Sequence, residues 1–332
     1  MKPRVAINGF GRIGRQVYRI NLLQKKFNIV AINDLTDAET LAHLLKYDST
    51  YGTIPNAIEH KKDQITVDKQ TSLVFSEPNP ENLPWKKLKI DIVIEATGHF
   101  TTRAGAQKHI DAGAKKVIIT APAKDPVDLN IVLGVNEKEY KKDRHHIISN
   151  ASCTTNCLAP VAKIIHDHFT IQKGSMTTIH SYTNDQRILD LPHKDLRRAR
   201  SAGQSMIPTT TGAAKALAEV IPSLKDKFDG ISVRVPTPTV SLVDLTCQTK
   251  IKTSAQEINA LFKKLSQSKQ LDSIIEYSEI PLVSVDYKGN SHSAIIDAQS
   301  TQVVQGNLVK ILAWYDNEWG YSCRIVDLVN ML

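Results

Sequence analysis

Short apolar runs alternate with helix-like segments over the first 120 residues. The apolar runs cover residues 5–8, 27–33, 90–96 and 116–120. Helix-like segments lie between some of them, at residues 12–25, 38–47 and 103–112. Short apolar strands that alternate with helices are typical of βαβ units. The pattern therefore predicts an α/β domain built on a parallel sheet.

The second half of the chain has longer β-branched stretches. After a predicted helix at about 154–169, these stretches cover residues 176–180, 230–235, 240–250 and 308–315. Strict alternation in 241–247 is typical of a sheet with one covered face. Residues 181–204 form a long, polar, basic segment without periodicity, and loops of that length are usually functional.

These patterns divide the chain near residue 150. We expect a first domain at 1–150 and an α+β domain with a mostly antiparallel sheet at 151–317. The last helix, at about 318–332, is expected to pack back onto the first domain.

The charge balance is basic, with 42 Lys+Arg against 34 Asp+Glu among 332 residues and a net charge of +8. Such a balance is compatible with nucleic-acid binding or with an enzyme of anionic metabolites. Because the basic residues are scattered, without a basic tail, phosphate-bearing small molecules are favoured and nucleic acid is not required. No run reaches the roughly 18 apolar residues of a membrane span. Four cysteines and no zinc-ligand spacing predict a cytoplasmic enzyme without disulfides or a metal.

A glycine-rich turn follows the first predicted strand. Gly9, Gly11 and Gly14 fit the pattern GxGxxG, and Asp34 lies twenty residues further on, after a second strand. In this motif the first glycine allows a tight turn, the second lets a pyrophosphate approach, and the third lets helix and strand pack closely. A carboxylate at position 34 can bind the ribose hydroxyls and repels a 2′-phosphate. The motif predicts a Rossmann-type domain that binds NAD rather than NADP.

The most informative stretch is residues 149–157, which contains Cys153 and Cys157. Cys153 is expected in the first turn of a helix, where the helix dipole stabilises a thiolate. From the residues alone it is equally a nucleophile or a buried side chain, whereas Cys157 is expected to be a buried thiol. His180 ends a β-rich run, from which it could activate Cys153.

Residues 151–160, ASCTTNCLAP, resemble the active-site signature of the phosphorylating glyceraldehyde-3-phosphate dehydrogenases. Further segments resemble the same family in the same order, and the resemblance extends from residue 5 to residue 328. These segments are residues 8–14, 180–183, 195–200, 208–215, 234–238 and 314–318.

The resemblance implies a mechanism. Cys153 attacks the aldehyde of D-glyceraldehyde 3-phosphate, and His180 activates the thiol and stabilises the developing alkoxide. Hydride then passes to NAD and leaves an acyl thioester on the cysteine. Inorganic phosphate attacks this thioester to give 1,3-bisphosphoglycerate. The thioester preserves the oxidation energy as long as water is kept away from it.

The resemblance also implies binding roles. Thr183 and Arg234 are expected to bind the substrate phosphate. The groups expected to bind the attacking phosphate are Ser152, Thr154, Arg198, Thr211 and Gly212. Around NAD, the expected residues are Arg12 and Ile13 along the pyrophosphate, Asp34 on the ribose, Thr120 beside the cofactor and Asn317 on the carboxamide. Leu191 and Pro192 resemble a pair of NAD-using members, and the family implies a homotetramer.

One position departs from the family pattern, and three competing functions stay open. Pro78 stands where many bacterial members have an arginine near the adenine, which puts that contact in doubt. Residues 194–205 resemble an NADP-preferring gluconeogenic branch, which Asp34 opposes. The second competing function is that of an erythrose-4-phosphate dehydrogenase. The third is that of a basic, non-catalytic binding protein that retains the fold.

Overall fold

The computed structural model describes residues 2–332 and divides into two compact units. The first unit comprises residues 2–131, 138–151 and 322–332. The second comprises residues 132–137 and 152–321. Among the described residues, no helix is both long and apolar enough to span a membrane.

The first unit is built on a sheet that contains nine strands within residues 2–332. The strands of this unit are β1 Arg4–Asn8, β2 Asn28–Asn33, β3 Tyr47–Asp48, β4 Gly52–Thr53, β5 Ile58–Lys61, β6 Gln64–Val67, β7 Gln70–Phe75, β8 Ile92–Glu95, β9 Lys116–Ile119, β10 Leu129–Asn130 and β11 Ile147–Ser149. Its helices are α1 Arg12–Gln24, α2 Ala38–Lys46, α3 Trp85–Leu88 and α4 Arg103–Asp111. Strands β3 and β4 pair only with each other among the described strands.

The large sheet runs in the order β10-β11-β9-β8-β1-β2-β7-β6-β5. All pairs from β10 to β7 are parallel, and β7-β6-β5 is an antiparallel extension. The chain leaves β1 toward β2 on one side and returns to β8 on the other. The carboxyl ends of β1 and β8 therefore form a topological switch point, where open α/β sheets bind their ligands.

The core of the first unit explains why these segments become strands and helices. Val5, Ile7, Ile32, Val93 and Ile118 are fully buried, as expected of central strands that are covered on both faces. The parallel strands all end at the same edge of the sheet, so polar residues at their last positions lie at the crevice.

The second unit contains an eight-stranded sheet within the described residues, in the order β13-β14-β12-β15-β19-β17-β16 with β18 beside β19. Its strands are β12 Ile171–Ser181, β13 Ile207–Thr210, β14 Phe228–Val235, β15 Ser241–Thr249, β16 Ile275–Ser278, β17 Ala294–Asp297, β18 Gln302–Val304 and β19 Leu308–Tyr315. Its helices are α5 Cys153–Phe169, α6 Ala213–Val220 and α7 Ala255–Ser266. The last helix of the chain is α8 Trp319–Met331.

Most pairs in this second sheet are antiparallel; β12 with β14 and β16 with β17 are parallel. Successive residues of β15 are alternately buried and half-buried, which agrees with the one covered face expected from the sequence. The predicted fold class is confirmed: a Rossmann-type parallel-sheet domain and an α+β domain with a mostly antiparallel sheet.

Candidate active site

The glycine turn between β1 and α1 gives each of its three glycines a different role. Gly9 has a φ of +90°, and a Cβ there would lie 2.6 Å from the backbone nitrogen of Thr97. Gly14 has no room for a Cβ against the carbonyl oxygen of Gly9. At Gly11, by contrast, a Cβ would meet no atom of the described residues within 4 Å. The side of the turn at Gly11 is therefore open to a ligand.

A pocket of about 430 Å³ lies at this turn and is lined by Gly9, Gly11 and Asp34 among others. The Asp34 carboxylate accepts hydrogen bonds from the backbone nitrogens of Phe10 (2.7 Å) and Thr36 (3.0 Å). These bonds orient the carboxylate and leave it lone pairs for ribose hydroxyls. The Asp34 carboxylate and the open approach at Gly11 fit a dinucleotide with its pyrophosphate at the start of α1.

Three further residues of this region bear on the sequence predictions. Pro78 lines the pocket, without the side-chain charge that an arginine would supply. The guanidinium of Arg12 forms an ion pair with Asp48 at 2.5 Å. Since that side chain is held by Asp48, its backbone is the part suited to a pyrophosphate, as the resemblance implies. Thr120 donates its hydroxyl to the carbonyl oxygen of Glu95 (3.1 Å).

In the second unit, Cys153 and His180 lie together. Cys153 is the first residue of α5, and the helix begins there because the Ser152 hydroxyl accepts from the backbone nitrogen of Thr155 (3.0 Å). His180 lies near the end of β12, with its ring buried. The Sγ of Cys153 is 3.5 Å from the Nε2 of His180. This is the geometry of a nucleophile and its base.

Arg234 completes this arrangement from the neighbouring strand. It pairs with His180 in the parallel register of β12 and β14. Its Nη1 lies 2.7 Å from the Nδ1 of His180 and 3.0 Å from the carbonyl oxygen of Ser181. Burial, and then the charge of Arg234, lower the pKa of His180 to about 3. His180 is therefore a neutral imidazole near pH 7.

The charge state of the thiol differs from the sequence-based expectation. Burial raises the pKa of Cys153, while the charge of Arg234 and hydrogen bonds at the start of α5 lower it by less. The helix entrance was expected to favour the thiolate, but desolvation outweighs it here. The pair consequently rests as a neutral thiol beside a neutral imidazole. Cys157 is fully buried, as expected.

Tyr315 is a member of the site that the sequence reasoning did not assign. Its ring packs edge-on against His180, with 6.0 Å between the ring centroids. Its hydroxyl lies 2.9 Å from the hydroxyl of Thr154 and 2.8 Å from that of Thr178. Tyr315 thus braces the histidine and ties α5 to β12. The alternation of β19, which buries every second residue, was the available signal.

A second polar cluster joins two of the predicted phosphate-binding residues. Arg198 donates to the carboxylate of Asp185 (2.6 Å) and to the hydroxyl of Thr209 (2.9 Å). Thr183 donates its hydroxyl to the same carboxylate. Burial alone would raise the pKa of Asp185, but the Thr183 hydroxyl and the charges of Arg234 and Arg198 hold it below its ordinary value. Asp185, which the sequence reasoning did not assign, is thus an internal anion between Thr183 and Arg198.

The remaining predicted residues are placed as follows. Thr211 accepts from the backbone nitrogen of Ala213 (3.2 Å), and Gly212 is the N-cap of α6. Thr154 is buried, and its hydroxyl forms a hydrogen bond with that of Tyr315 rather than with Thr183 or Arg198. The Oδ1 of Asn317 accepts from the hydroxyls of Ser181 (2.9 Å) and Ser241 (3.0 Å). Its amide nitrogen is the group left to bind a ligand carbonyl.

A Rossmann-type pocket and a cysteine paired with a histidine define the class: a dinucleotide-dependent oxidoreductase with a thiol nucleophile. Comparison with known families agrees. Residues 3–103 match the family model "Glyceraldehyde 3-phosphate dehydrogenase, NAD binding domain", and residues 152–317 match the corresponding C-terminal domain. The chain belongs to the glyceraldehyde-3-phosphate dehydrogenase family.

Curated relatives cover almost the whole chain. A glyceraldehyde-3-phosphate dehydrogenase of Geobacillus stearothermophilus is 56% identical over 328 residues, which is 99% of this chain and 97% of the relative. Glyceraldehyde-3-phosphate dehydrogenase 2 of Streptomyces avermitilis is 57% identical over 329 residues, or 99% and 98% of the two chains. These comparisons confirm the resemblance and the NAD cofactor, and they favour none of the three competing functions.

Proposed function

We propose that this protein oxidises D-glyceraldehyde 3-phosphate to 1,3-bisphosphoglycerate with NAD and inorganic phosphate. The observation that carries the proposal is the 3.5 Å approach of the Cys153 sulfur to the Nε2 of His180 at the entrance of α5. We assign dinucleotide binding to residues 1–150 with the C-terminal helix, and catalysis to residues 151–317; the two matched family models support this division.

His180 acts first as a base. The Nδ1 of His180 lies 2.7 Å from both the carbonyl oxygen of Ser181 and the Nη1 of Arg234, which can only donate. The Nε2 has a free lone pair for the thiol proton of Cys153 when the guanidinium turns to the substrate phosphate and Nδ1 donates to Ser181 instead. The sulfur then bonds to the aldehyde carbon, and the proton on Nε2 stabilises the oxygen of the hemithioacetal. Bound NAD supplies the acceptor for the hydride of that carbon. The acyl thioester stays on Cys153 until phosphate attacks it.

Arg234 links substrate binding to this proton transfer. Its charge is one of the two causes that depress the pKa of His180. A phosphate dianion on the guanidinium offsets that charge, so the pKa of His180 moves toward its ordinary value when substrate binds. The imidazole therefore becomes a stronger base as the aldehyde reaches Cys153.

The assignments of the phosphate groups follow the resemblance. Thr183 and Arg234 bind the substrate phosphate, and Arg198, Thr211 and Gly212 are the principal groups for the attacking phosphate. The contacts of Asp185 support this assignment, because they show that Thr183 and Arg198 each direct a hydrogen-bond donor to an anionic oxygen. Ser152 and Thr154 bind the attacking phosphate only if their internal hydrogen bonds rearrange.

We propose that the protein is a homotetramer of the cytoplasm. The long loop at residues 181–204 supports an assembly, because it exposes large apolar side chains such as Ile188 (84% exposed) and Leu196 (82% exposed). Clustered exposed apolar side chains are typical of protein interfaces. Light scattering coupled to size-exclusion chromatography measures the state directly, and a monomer at micromolar concentration would contradict the tetramer.

One assay tests the reaction. The purified chain is mixed with D-glyceraldehyde 3-phosphate and NAD, and NADH formation is followed with and without inorganic phosphate. We expect sustained turnover only with phosphate, since the thioester otherwise stays on Cys153. Cys153→Ser is the matched control that keeps a hydroxyl nucleophile of similar shape. If the wild-type chain forms no NADH, or forms it equally well without phosphate, the proposed function is wrong.

A further inference from the structure

A buried polar ladder runs across the carboxyl ends of three strands of the first unit. Asn33 is the last residue of β2, Asn8 of β1 and Glu95 of β8, and the register pairs Asn8 with both others. All three side chains are nearly inaccessible to solvent, and Glu95 is only 1% exposed. The ladder crosses the switch point between β1 and β8, and the chemistry proposed above does not use Glu95.

Glu95 accepts four hydrogen bonds. One carboxylate oxygen accepts from the backbone nitrogen of Thr97 (2.8 Å) and from its hydroxyl. The other accepts from the Nδ2 of Asn8 (2.6 Å) and lies 3.0 Å from the Nε2 of His109. Among the described residues, no lysine or arginine forms an ion pair with this carboxylate. Four donors match the four lone-pair sites of an ionised carboxylate.

The tautomer of His109 follows from its other neighbour. The Nε1 of Trp85 lies 3.0 Å from the Nδ1 of His109 and can only donate. Nδ1 must therefore accept, which leaves the proton on Nε2, where it is donated to Glu95. His109 is thus a neutral donor that is fixed in place by Trp85. Neither side chain lines the dinucleotide pocket.

The ladder ends on the walls of the pocket. Asn33 donates to the Oδ1 of Asn8 (2.7 Å). It also holds the backbone of Glu77 at both ends, by accepting from its nitrogen (2.9 Å) and donating to its oxygen (3.0 Å). Asn8, Asn33, Glu77 and Thr97 all line the pocket. The wall at Thr97 is also the backbone against which Gly9 packs.

We propose that Glu95 is a positioning residue for the dinucleotide: its buried carboxylate fixes the Asn8 and Thr97 walls, so that NAD binds to a preformed pocket. The inference rests on the proposed function for the identity of the dinucleotide. A preformed pocket has fewer groups to order on binding, and its loss weakens affinity without altering the reacting groups.

Glu95→Gln tests this proposal. The amide has nearly the same shape, but in either orientation its NH₂ group faces two donors, because both oxygens of Glu95 accept two hydrogen bonds each. We expect the dissociation constant of NAD, measured by calorimetry on the full chain, to rise about tenfold or more. At saturating NAD, the kcat should stay within about twofold of wild type. Glu59→Gln, which removes an exposed carboxylate from the same unit, is the matched control and should change neither value.

A second substitution distinguishes positioning from a loss of structure. The double variant Asn8→Asp with Glu95→Gln exchanges the carboxylate and the amide across the contact between residues 8 and 95. The Nε2 of His109 is 3.4 Å from the side-chain nitrogen of Asn8, so it lies close to the new carboxylate. The double variant should recover most of the affinity, while Asn8→Asp alone places two carboxylates together and should bind NAD weakly. This pattern is a coupled double-mutant cycle.

The outcomes separate the two proposals. NAD affinity within twofold of wild type in Glu95→Gln, or no recovery in the double variant, would overturn the inference. If Glu95→Gln does not fold, Trp85→Phe replaces it as the test. This substitution lies outside the pocket and removes the hydrogen bond that holds His109, so it should also raise the dissociation constant of NAD. A wild-type chain that binds NAD but does not oxidise the aldehyde contradicts the proposed function. The inference is then still tested by the dissociation constants of NAD for the variants, measured by calorimetry. A wild-type chain that does not bind NAD contradicts both.

Discussion

Alanine substitutions at Gly9 and Gly11 should separate the stability of the glycine turn from its affinity for NAD. Both glycines belong to the same motif and both changes add one methyl group. Gly9 has a φ of +90°, and its Cβ would lie 2.6 Å from the Thr97 nitrogen and 2.7 Å from the Ala96 carbonyl carbon. A Cβ on Gly11 would meet nothing within 4 Å among the described residues, and the backbone there is ordinary.

The expected costs follow from this geometry. A left-handed backbone costs a residue with a side chain roughly 1–2 kcal/mol, and overpacking against rigid backbone costs about 1–3 kcal/mol more. Gly9→Ala should therefore lower the free energy of unfolding by about 2–5 kcal/mol. Gly11→Ala should leave the free energy of unfolding within about 0.5 kcal/mol of wild type, as is usual for substitutions without such contacts. Its methyl group, however, occupies the approach that a pyrophosphate needs.

Thermal or urea unfolding without NAD, together with calorimetric titration of NAD, measures both quantities on each variant. We expect Gly9→Ala to lose stability and NAD binding, and Gly11→Ala to lose NAD binding alone. Equal loss of stability in the two variants would refute the geometric reasoning. So would full NAD affinity in Gly11→Ala, because the open side of the turn would then not be the pyrophosphate site.

Four further substitutions test the residues of the reaction. Cys153→Ala should abolish NADH formation while calorimetry shows nearly unchanged NAD binding, and substantial residual turnover would exclude this cysteine as the nucleophile. His180→Asn should leave slow turnover and move iodoacetamide labelling of Cys153 to higher pH, since the thiol loses its proton acceptor. Arg234→Leu should also move iodoacetamide labelling of Cys153 to higher pH, because Arg234 is the charge that opposes burial in setting the pKa of Cys153; an unchanged pH profile would contradict this. Asp34→Ala should narrow the ratio of initial rates with NAD and NADP, and a ratio equal to that of wild type would exclude Asp34 as the discriminating residue.

The sequence predicts the parallel sheet well because its signals are local. Central strands such as β1 and β9 are short, largely apolar and followed by a helix or turn, so periodicity alone locates them. The glycine turn and Asp34 have fixed spacing along the chain, so their place at the carboxyl ends of strands follows from the motif. The same holds for Cys153, whose position at the start of α5 depends on its neighbour Ser152.

Features that depend on tertiary contacts were not predicted. Strands β5, β6 and β7, which form the antiparallel extension of the sheet, have mixed, half-exposed sequences, so their hydrophobic pattern is weak. Asp185 meets Arg198 across a loop without periodicity, where spacing gives no pairing. Glu95 belongs to an apolar run that the sequence identifies only as a strand, and its donors include residues from distant segments.

Burial of the cysteine and histidine both hinders and enables the proposed chemistry. It raises the pKa of Cys153, so fewer thiolates exist at neutral pH. The same burial keeps His180 uncharged, and only a neutral imidazole can take the thiol proton. A partly buried sulfur also limits the access of water to an acyl thioester, which must survive until phosphate arrives. If the Cys153 side chain were exposed enough to be ionised at all times, water would reach the acyl thioester. Arg234 favours the thiolate and keeps His180 a neutral proton acceptor, and the substrate phosphate offsets its charge when the proton has to move.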